Sequence, residues 1–393
     1  MKARIAQAAL LAAGAFQAVS ASAVVRQLNP NRTCENYRIN VTITSDNLEY
    51  GLPYFEDNFD VADFIDVVSA RNAPDITTFF AGDDDTNATY TIAGTFCQPA
   101  RGRPDRNKNT VLIATHDTNF DRSYWDPLLD DRYSFVDFVV NKGYSIFYYD
   151  RLGVGDVSGY VAQRANQVAI LTQLVTMIQA GRYTGTIGRP DQTVLVGHGF
   201  GSVLSFEAVG NNATLVDALV LTGFSVNAAD FNPIGFLETA EPRIAAFQRP
   251  FEWGGLDTAS TCEAGYLTPV DVYAEAALYF KAPDYEECVA FYTERTKAPF
   301  AILEYLTTFN FDIDPLDFAG PTLLLSGEYD FIWCMSDCDG ILDDDATADI
   351  FPDATPFQGT SYAGAGHAIN YHLNALGAFN IISNFLGNNL PPT

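Results

Sequence analysis

From residue 108 onward the chain alternates short, wholly apolar runs with longer amphipathic ones. Thr110–Thr115 (TVLIAT) and Tyr144–Tyr149 (YSIFYY) are the first two apolar runs, Thr193–Val196 the third and Ala218–Leu221 (ALVL) the fourth. A strand apolar on both sides is one covered on both faces. Between these runs lie helical patterns. One follows Pro127 and continues through Phe135–Val140, with the proline at a favourable first-turn position. Another, Ala162–Ile178, carries Val168, Leu171, Leu174, Val175 and Ile178 at spacings of three and four. A third covers Gly201–Val209. Such alternation predicts an α/β fold with a mostly parallel central sheet flanked by helices.

The rhythm stops after Gly223. Residues 225–316 are aromatic and acidic, helical in places, and read as an insertion. It resumes at Thr322–Leu325 (TLLL), with a last strand near Phe357–Ser361 and a closing helix from about Tyr371. Upstream, residues 24–105 hold two strand-like stretches, Tyr37–Thr44 and Tyr90–Phe96, around a loop-rich middle. That middle contains Asp83-Asp84-Asp85, read as a solvated turn. It lacks the alternating acceptors and distal glutamate of a calcium loop. The expected organisation is a signal peptide over 1–23, an N-terminal extension over 24–105 packed on the core, and an α/β domain over 106–393.

Composition changes the picture in three ways. Residues 1–23 begin with Lys2 and Arg4, run through AALLAAGAF and end in Ala21-Ser22-Ala23, the pattern of a secretory signal. Export places the six cysteines, Cys34, Cys97, Cys262, Cys288, Cys334 and Cys338, where disulfides persist. A Cys34–Cys97 bridge would tie the N-terminal extension together. Glycosylation acceptors stand at Asn31, Asn40, Asn87 and Asn212. The formal charge is −27, and removing Lys2 and Arg4 with the signal gives 20 − 49 = −29. Such a surface repels phosphate backbones, so nucleic acid is excluded as a partner. The signal's apolar run is too short to span a membrane, and no other stretch approaches that length, so no transmembrane segment is expected. No cofactor motif is present. Cys334 to Cys338 is half of a metal site with nothing near it in sequence to complete it, so no metal is expected either.

The candidate chemistry sits in the turns. Val194–Ser202 (VLVGHGFGS) is a strand, a glycine-spaced turn and a helix start, the setting in which G-x-S-x-G presents a nucleophilic serine. Its middle position is Gly199. Asp330 follows the TLLL strand and His367 follows the last strand, in Gly364-Ala365-Gly366-His367. Asp150-Arg151-Leu152-Gly153-Val154-Gly155 closes the strand before the elbow, and His116-Asp117-Thr118 followed by Tyr124-Trp125 closes the first core strand. In this order of elbow, acid and histidine, residues 106–393 resemble the α/β-hydrolase family, and in particular secreted fungal serine-hydrolase-like members with a cap.

The resemblance implies roles. His367 would be the base and Asp330 its orienting carboxylate, with Asp150 a less favoured acid. The backbone amides of Phe200 and of the loop at Asp117 would form the oxyanion hole. Here Asp117 would bring a carboxylate near that hole, where it opposes developing negative charge. Position 199 would be a vacant nucleophile site. Ser202 would point away from the pocket mouth, while His198 and His372 would be structural. Three readings follow: a degenerate esterase/lipase-like protein with an apolar capped pocket for a small apolar or ester-like ligand; a hydrolase in which His367 and Asp330 activate a water; and a non-catalytic binding protein. The cap aromatics Phe224, Phe231, Phe236, Phe247, Phe251 and Trp253 suit an apolar ligand. Under the first reading, serine at 199 is expected to restore reaction unless Asp117 spoils the site.

Overall fold

The computed structural model describes residues 29–100, 107, 109–154, 159–227, 231–254, 264–308 and 313–391. The signal sequence therefore lies outside the described residues. Strands β1 (Arg32–Tyr50), β2 (Phe80–Pro99), β3 (Thr110–Thr115), β4 (Ser145–Tyr149), β5 (Gln192–His198) and β6 (Ala218–Thr222) enter the main sheet in succession. After the insertion, with its three short strands β7 (Arg243–Ile244), β8 (Tyr266–Thr268) and β9 (Phe300–Ala301), the sheet is completed by β10 (Thr322–Gly327) and β11 (Phe357–Tyr362). The eight strands lie in the order β1-β2-β4-β3-β5-β6-β10-β11. Pairings from β4 to β11 are parallel.

Burial explains the parallel part. Every residue of β3, β4, β5, β6 and β10 is buried, so neither face of these strands meets water. The connecting helices α2 (Phe135–Asn141), α3 (Arg164–Gln179) and α4 (Phe200–Asn211) cover them, following α1 (Asn58–Ser69) of the N-terminal region. Helix α3 packs on α4. Ser134 starts α2 by accepting a bond from the amide of Asp137 at 3.0 Å.

The N-terminal region differs from its sequence reading. Its strands run 19 and 20 residues and pair antiparallel along their length, so the extension is part of the main sheet rather than a layer on it. Residues Gly94–Cys97 of β2 pair with Ile146–Tyr149 of β4. The acidic run Asp83–Asp85 lies within β2 with its side chains exposed, not in a turn. Polar residues occupy the solvated face of a hairpin at a sheet margin, so the apolar pattern that marks a strand is halved there. Cys34 and Cys97 lie opposite each other in this hairpin and are bonded, and Cys334 is bonded to Cys338. Cys288 is exposed and unbonded, while Cys262 lies outside the described residues. Asn40, Asn87 and Asn212 are exposed; the half-buried Asn31 amide donates to Asn141 at 3.0 Å.

Within the insertion, β7, β8 and β9 make a small antiparallel ribbon beside α5 (Pro233–Ala240), α6 (Val272–Tyr279), α7 (Glu287–Thr296) and α8 (Ile302–Thr308). Phe231, Pro233, Phe236, Tyr305 and Thr308 of this region face Asp117 and Phe200 at the C-terminal ends of β3 and β5. The insertion is thus a cap over the strand ends. A one-turn helix α9 (Phe331–Cys334) follows β10, and α10 (Ala375–Asn389) closes the chain against α2. Among the described residues no helix is long and apolar enough to cross a membrane.

Candidate active site

The elbow is built by glycines that cannot be replaced without moving backbone. A Cβ at Gly197 would lie 2.4 Å from Ser202 Cα, and one at Gly201 would lie 2.1 Å from the carbonyl oxygen of Thr115. Helix α4 can therefore start hard against β3 and β5. Gly199 itself has φ 52° and ψ −119°, a conformation that L side chains adopt at a cost of about 1–3 kcal/mol. The turn keeps the positive φ of a nucleophile elbow, which glycine adopts without strain.

The space over that turn is not empty. An ideal Cβ built on Gly199 falls 2.2, 2.3 and 2.5 Å from Cγ, Oδ1 and Oδ2 of Asp117. The Asp117 side chain, from the loop after β3, fills the space over position 199, so the place read as vacant is occupied by a carboxylate. Asp117 Oδ1 accepts the Phe200 amide at the N-terminus of α4, at 2.6 Å. Its Oδ2 accepts from His367 Nε2 at 2.9 Å. The Phe200 donor is thus taken by the Asp117 side chain, which sequence reasoning places near the oxyanion site but not on this amide.

His367 and Asp330 stand together. His367 Nδ1 lies 2.7 Å from Asp330 Oδ2, and the other oxygen of Asp330 accepts the amides of Ile332 and Trp333 at 2.9 and 3.0 Å. A carboxylate only accepts, so both nitrogens of His367 donate and the ring is an imidazolium between two anions. Burial alone would suppress that charge. The Asp330 and Asp117 carboxylates outweigh it and raise the histidine to about 10. Burial likewise works against the Asp117 anion, but the bond and charge of His367 hold it down at about 2.

The neighbours are fixed by other bonds. His116 Nε2 accepts the Arg151 amide at 3.1 Å, and burial pushes this histidine well below its ordinary range. The Arg151 guanidinium, fully buried, bonds Gln167, Glu304 and the carbonyl of Asp117. It pins the Asp117 loop from beneath. Asp150 pairs with Arg122 at 2.8 Å, so it is engaged away from the histidine. Ser202 Oγ donates to the Thr222 carbonyl at 2.8 Å, behind the elbow. His372 Nε2 accepts the amides of Lys281 and Gly366, and burial lowers it to about 4. The ring of His198 stacks on Tyr124 with centroids 4.3 Å apart.

A cavity of about 40 Å³ opens beside Asp117, walled by Thr118, Phe200, Phe231, Phe236, Ile332 and Trp333. It is almost wholly apolar and has room for a few waters or a fragment of a few carbons. Of the cap aromatics, Phe231 and Phe236 line it, Phe224 and Trp253 are buried elsewhere, and Phe247 and Phe251 are exposed.

The model of the alpha/beta hydrolase family matches residues 111–379, more than two thirds of the chain. The chain belongs to this family. Among solved structures it is similar to an esterase from Thermogutta terrifontis, at 16% identity over 76% of this chain and 94% of that one, with a TM-score of 0.50. A peroxisomal alpha-beta-hydrolase of Saccharomyces cerevisiae is 9% identical over 92% of this chain and 90% of its own, with a TM-score of 0.48. An epoxide hydrolase from Vigna radiata is 14% identical over 76% and 95%, with a TM-score of 0.47. No curated protein matches the sequence. At these identities the likeness shows the fold alone.

Proposed function

We propose that the protein is a secreted small-molecule hydrolase of altered mechanism, in which the Asp117 carboxylate replaces the elbow serine. One observation carries this reading: that carboxylate lies within 2.2–2.5 Å of the nucleophile's Cβ position while touching both groups that would serve a nucleophile, the Phe200 amide and His367. Decay of the site would have no reason to preserve an amide donor and an oriented histidine around one anion. Secretion rests on the N-terminal 23 residues, and N-terminal sequencing of the exported chain should begin at Val24.

The arrangement suits attack on saturated carbon. Asp117 Oδ2 bonds to a carbon of the substrate while the C–O bond to a leaving oxygen breaks, and that oxygen takes the Nε2 proton of His367. A covalent ester and a neutral imidazole result. The imidazole then takes a proton from water as the water oxygen adds to Asp117 Cγ. The developing oxyanion on Oδ1 faces the Phe200 amide. Expulsion of the alcohol restores the carboxylate and the imidazolium, with one water consumed. A small apolar epoxide fits, because ring strain drives the first step and the cavity admits only a few carbons.

The test is a single turnover of a short-chain terminal epoxide in ¹⁸O-water, with a serine-directed fluorophosphonate run alongside. The expected result is a diol, ¹⁸O in the Asp117 side chain, and no fluorophosphonate labelling. Absence of both diol and isotope would return the protein to the reading of a folded, non-catalytic member that binds a small apolar ligand.

A further inference from the structure

His198 has no part in the scheme above, yet its hydrogen bonding leaves one nitrogen exposed to chemistry. Thr222 Oγ1 spends its single proton on the Gly197 carbonyl, at 2.7 Å. It must therefore accept at its contact with His198 Nδ1, 3.1 Å away, and this fixes the proton of His198 on Nδ1. Nε2 is left with a bare lone pair. The residue is fully buried, and among the described residues that atom meets no hydrogen-bond partner. A buried acceptor without a donor has lost its bond to water with nothing in return.

His367 has the same design. Its Nδ1–H is held by Asp330, and its Nε2 faces Asp117. Each imidazole thus has its far N–H fixed by an outer oxygen, the arrangement that orients metal-binding histidines. One nitrogen from each ring and one oxygen of Asp117 lie within 4.8 Å of one another, and all three residues are buried.

We infer that Asp117, His198 and His367 form a binding site for a divalent transition-metal ion of the zinc class. Two imidazoles and one carboxylate select such ions over calcium or magnesium, which prefer oxygen. Ligands of a tetrahedral zinc stand roughly 3.3 Å apart, so the widest pair must close by at most about 1.5 Å. That is a side-chain movement, with Asp117 releasing His367. Of the three residues, Asp117 also lines the cavity beside the elbow.

The site does not require the proposed reaction. An ion there takes the oxygen with which Asp117 would attack, so metal and turnover would exclude each other. The experiment uses the full secreted chain, stripped with a chelator and titrated with zinc chloride by calorimetry, then with cobalt(II) by visible absorption. One ion per chain is expected, with the intense d–d bands of a four-coordinate cobalt centre. His198→Gln should lower zinc affinity at least tenfold. Thr222→Val, which removes the outer oxygen, should lower it about 10- to 100-fold. Circular dichroism checks that both variants fold. Should either misfold, X-ray absorption on the zinc-loaded wild type must show two imidazoles on the metal. No uptake, uptake unchanged in a folded His198→Gln, or an all-oxygen zinc shell would overturn the site. With a chelator added to the isotope experiment, its result stands or falls separately from metal uptake.

Discussion

The side chain of Asp117 occupies the space that a side chain at residue 199 would need. The two positions are 82 residues apart in sequence (199 − 117), yet a Cβ on Gly199 would lie 2.2 Å from Asp117 Cγ. They form one steric unit, and a change at either is felt at the other.

The first expectation is therefore that Gly199→Ser alone will not react with a fluorophosphonate, contrary to what the turn sequence suggests. The new Oγ must displace a carboxylate held by an amide and an imidazolium. Asp117→Gly with Gly199→Ser clears that space and returns the Phe200 amide to the oxyanion position. Activity-based labelling of the single and double variants, with His367→Ala added as a control, decides it. Strong labelling of Gly199→Ser by itself would mean Asp117 swings aside freely.

Removing His367 should cost stability as well as chemistry. The alanine variant leaves two buried carboxylates without their shared cation, and breaking such a contact costs about 3–5 kcal/mol. Urea unfolding of His367→Ala should show a midpoint well below that of the wild type, with the slope unchanged. Ser202→Ala, which touches only the back of the elbow through Thr222, should lose roughly 1 kcal/mol.

Glu275 gives the protein a pH dependence of its own. Burial pushes its carboxyl up to about 7; Lys297 at 3.4 Å draws it back, Glu294 adds to the rise, and Asn119 donates to it at 3.3 Å. A carboxyl raised on folding binds a proton in the native state that the unfolded chain releases. Its contribution is whole below the unfolded value near 4.5 and is lost as pH climbs to about 7, by about 3 kcal/mol at most. Thermal melts between pH 4.5 and 7.5 should fall with rising pH, and Glu275→Gln should flatten that slope. An unchanged slope in the glutamine variant would place the titration elsewhere.

The Cys34–Cys97 bridge closes a loop with a sequence separation of 63 residues. The chain-entropy account assigns such a loop about 4 kcal/mol. Replacing both cysteines with serine should lower the denaturant midpoint accordingly, while strand pairing in β1 and β2 keeps the native spectrum. A change of under 1 kcal/mol would show that the hairpin is already ordered in the unfolded ensemble.

How far the sequence anticipated the molecule depended on whether the physics was local. Thr110–Thr115 reads as a strand to the residue, and the β5 turn reads as an elbow, because burial on two faces and glycine spacing leave marks on consecutive residues. His367 and Asp330 could be placed because each follows a strand by a short turn. The long β1–β2 hairpin was shortened in the reading, since Thr42, Asp46 and Asp83–Asp85 face water and carry no apolar period. The Asp117 carboxylate was foreseen near the oxyanion site but not over Gly199. Its position is set by Arg151 holding the loop's carbonyl and by the amide of Phe200, contacts that no local pattern records. For the same reason the grouping of His198 with His367 and Asp117 was not foreseen, and no metal was expected.

The hairpin bridge has a mechanical consequence. Cys34 lies near the start of the described chain and Cys97 next to the core strands, so tension applied at the two ends passes through the sulfur–sulfur bond. The 62 residues from 35 to 96, roughly 200 Å of extended chain, are shielded from the pull. Under load the sheet should come apart from its other margin, where β11 has β10 on one side and, among the described residues, no strand on the other. In a single-molecule trace the N-terminal hairpin would stay silent until the bridge is reduced, and its length would then appear as an added step.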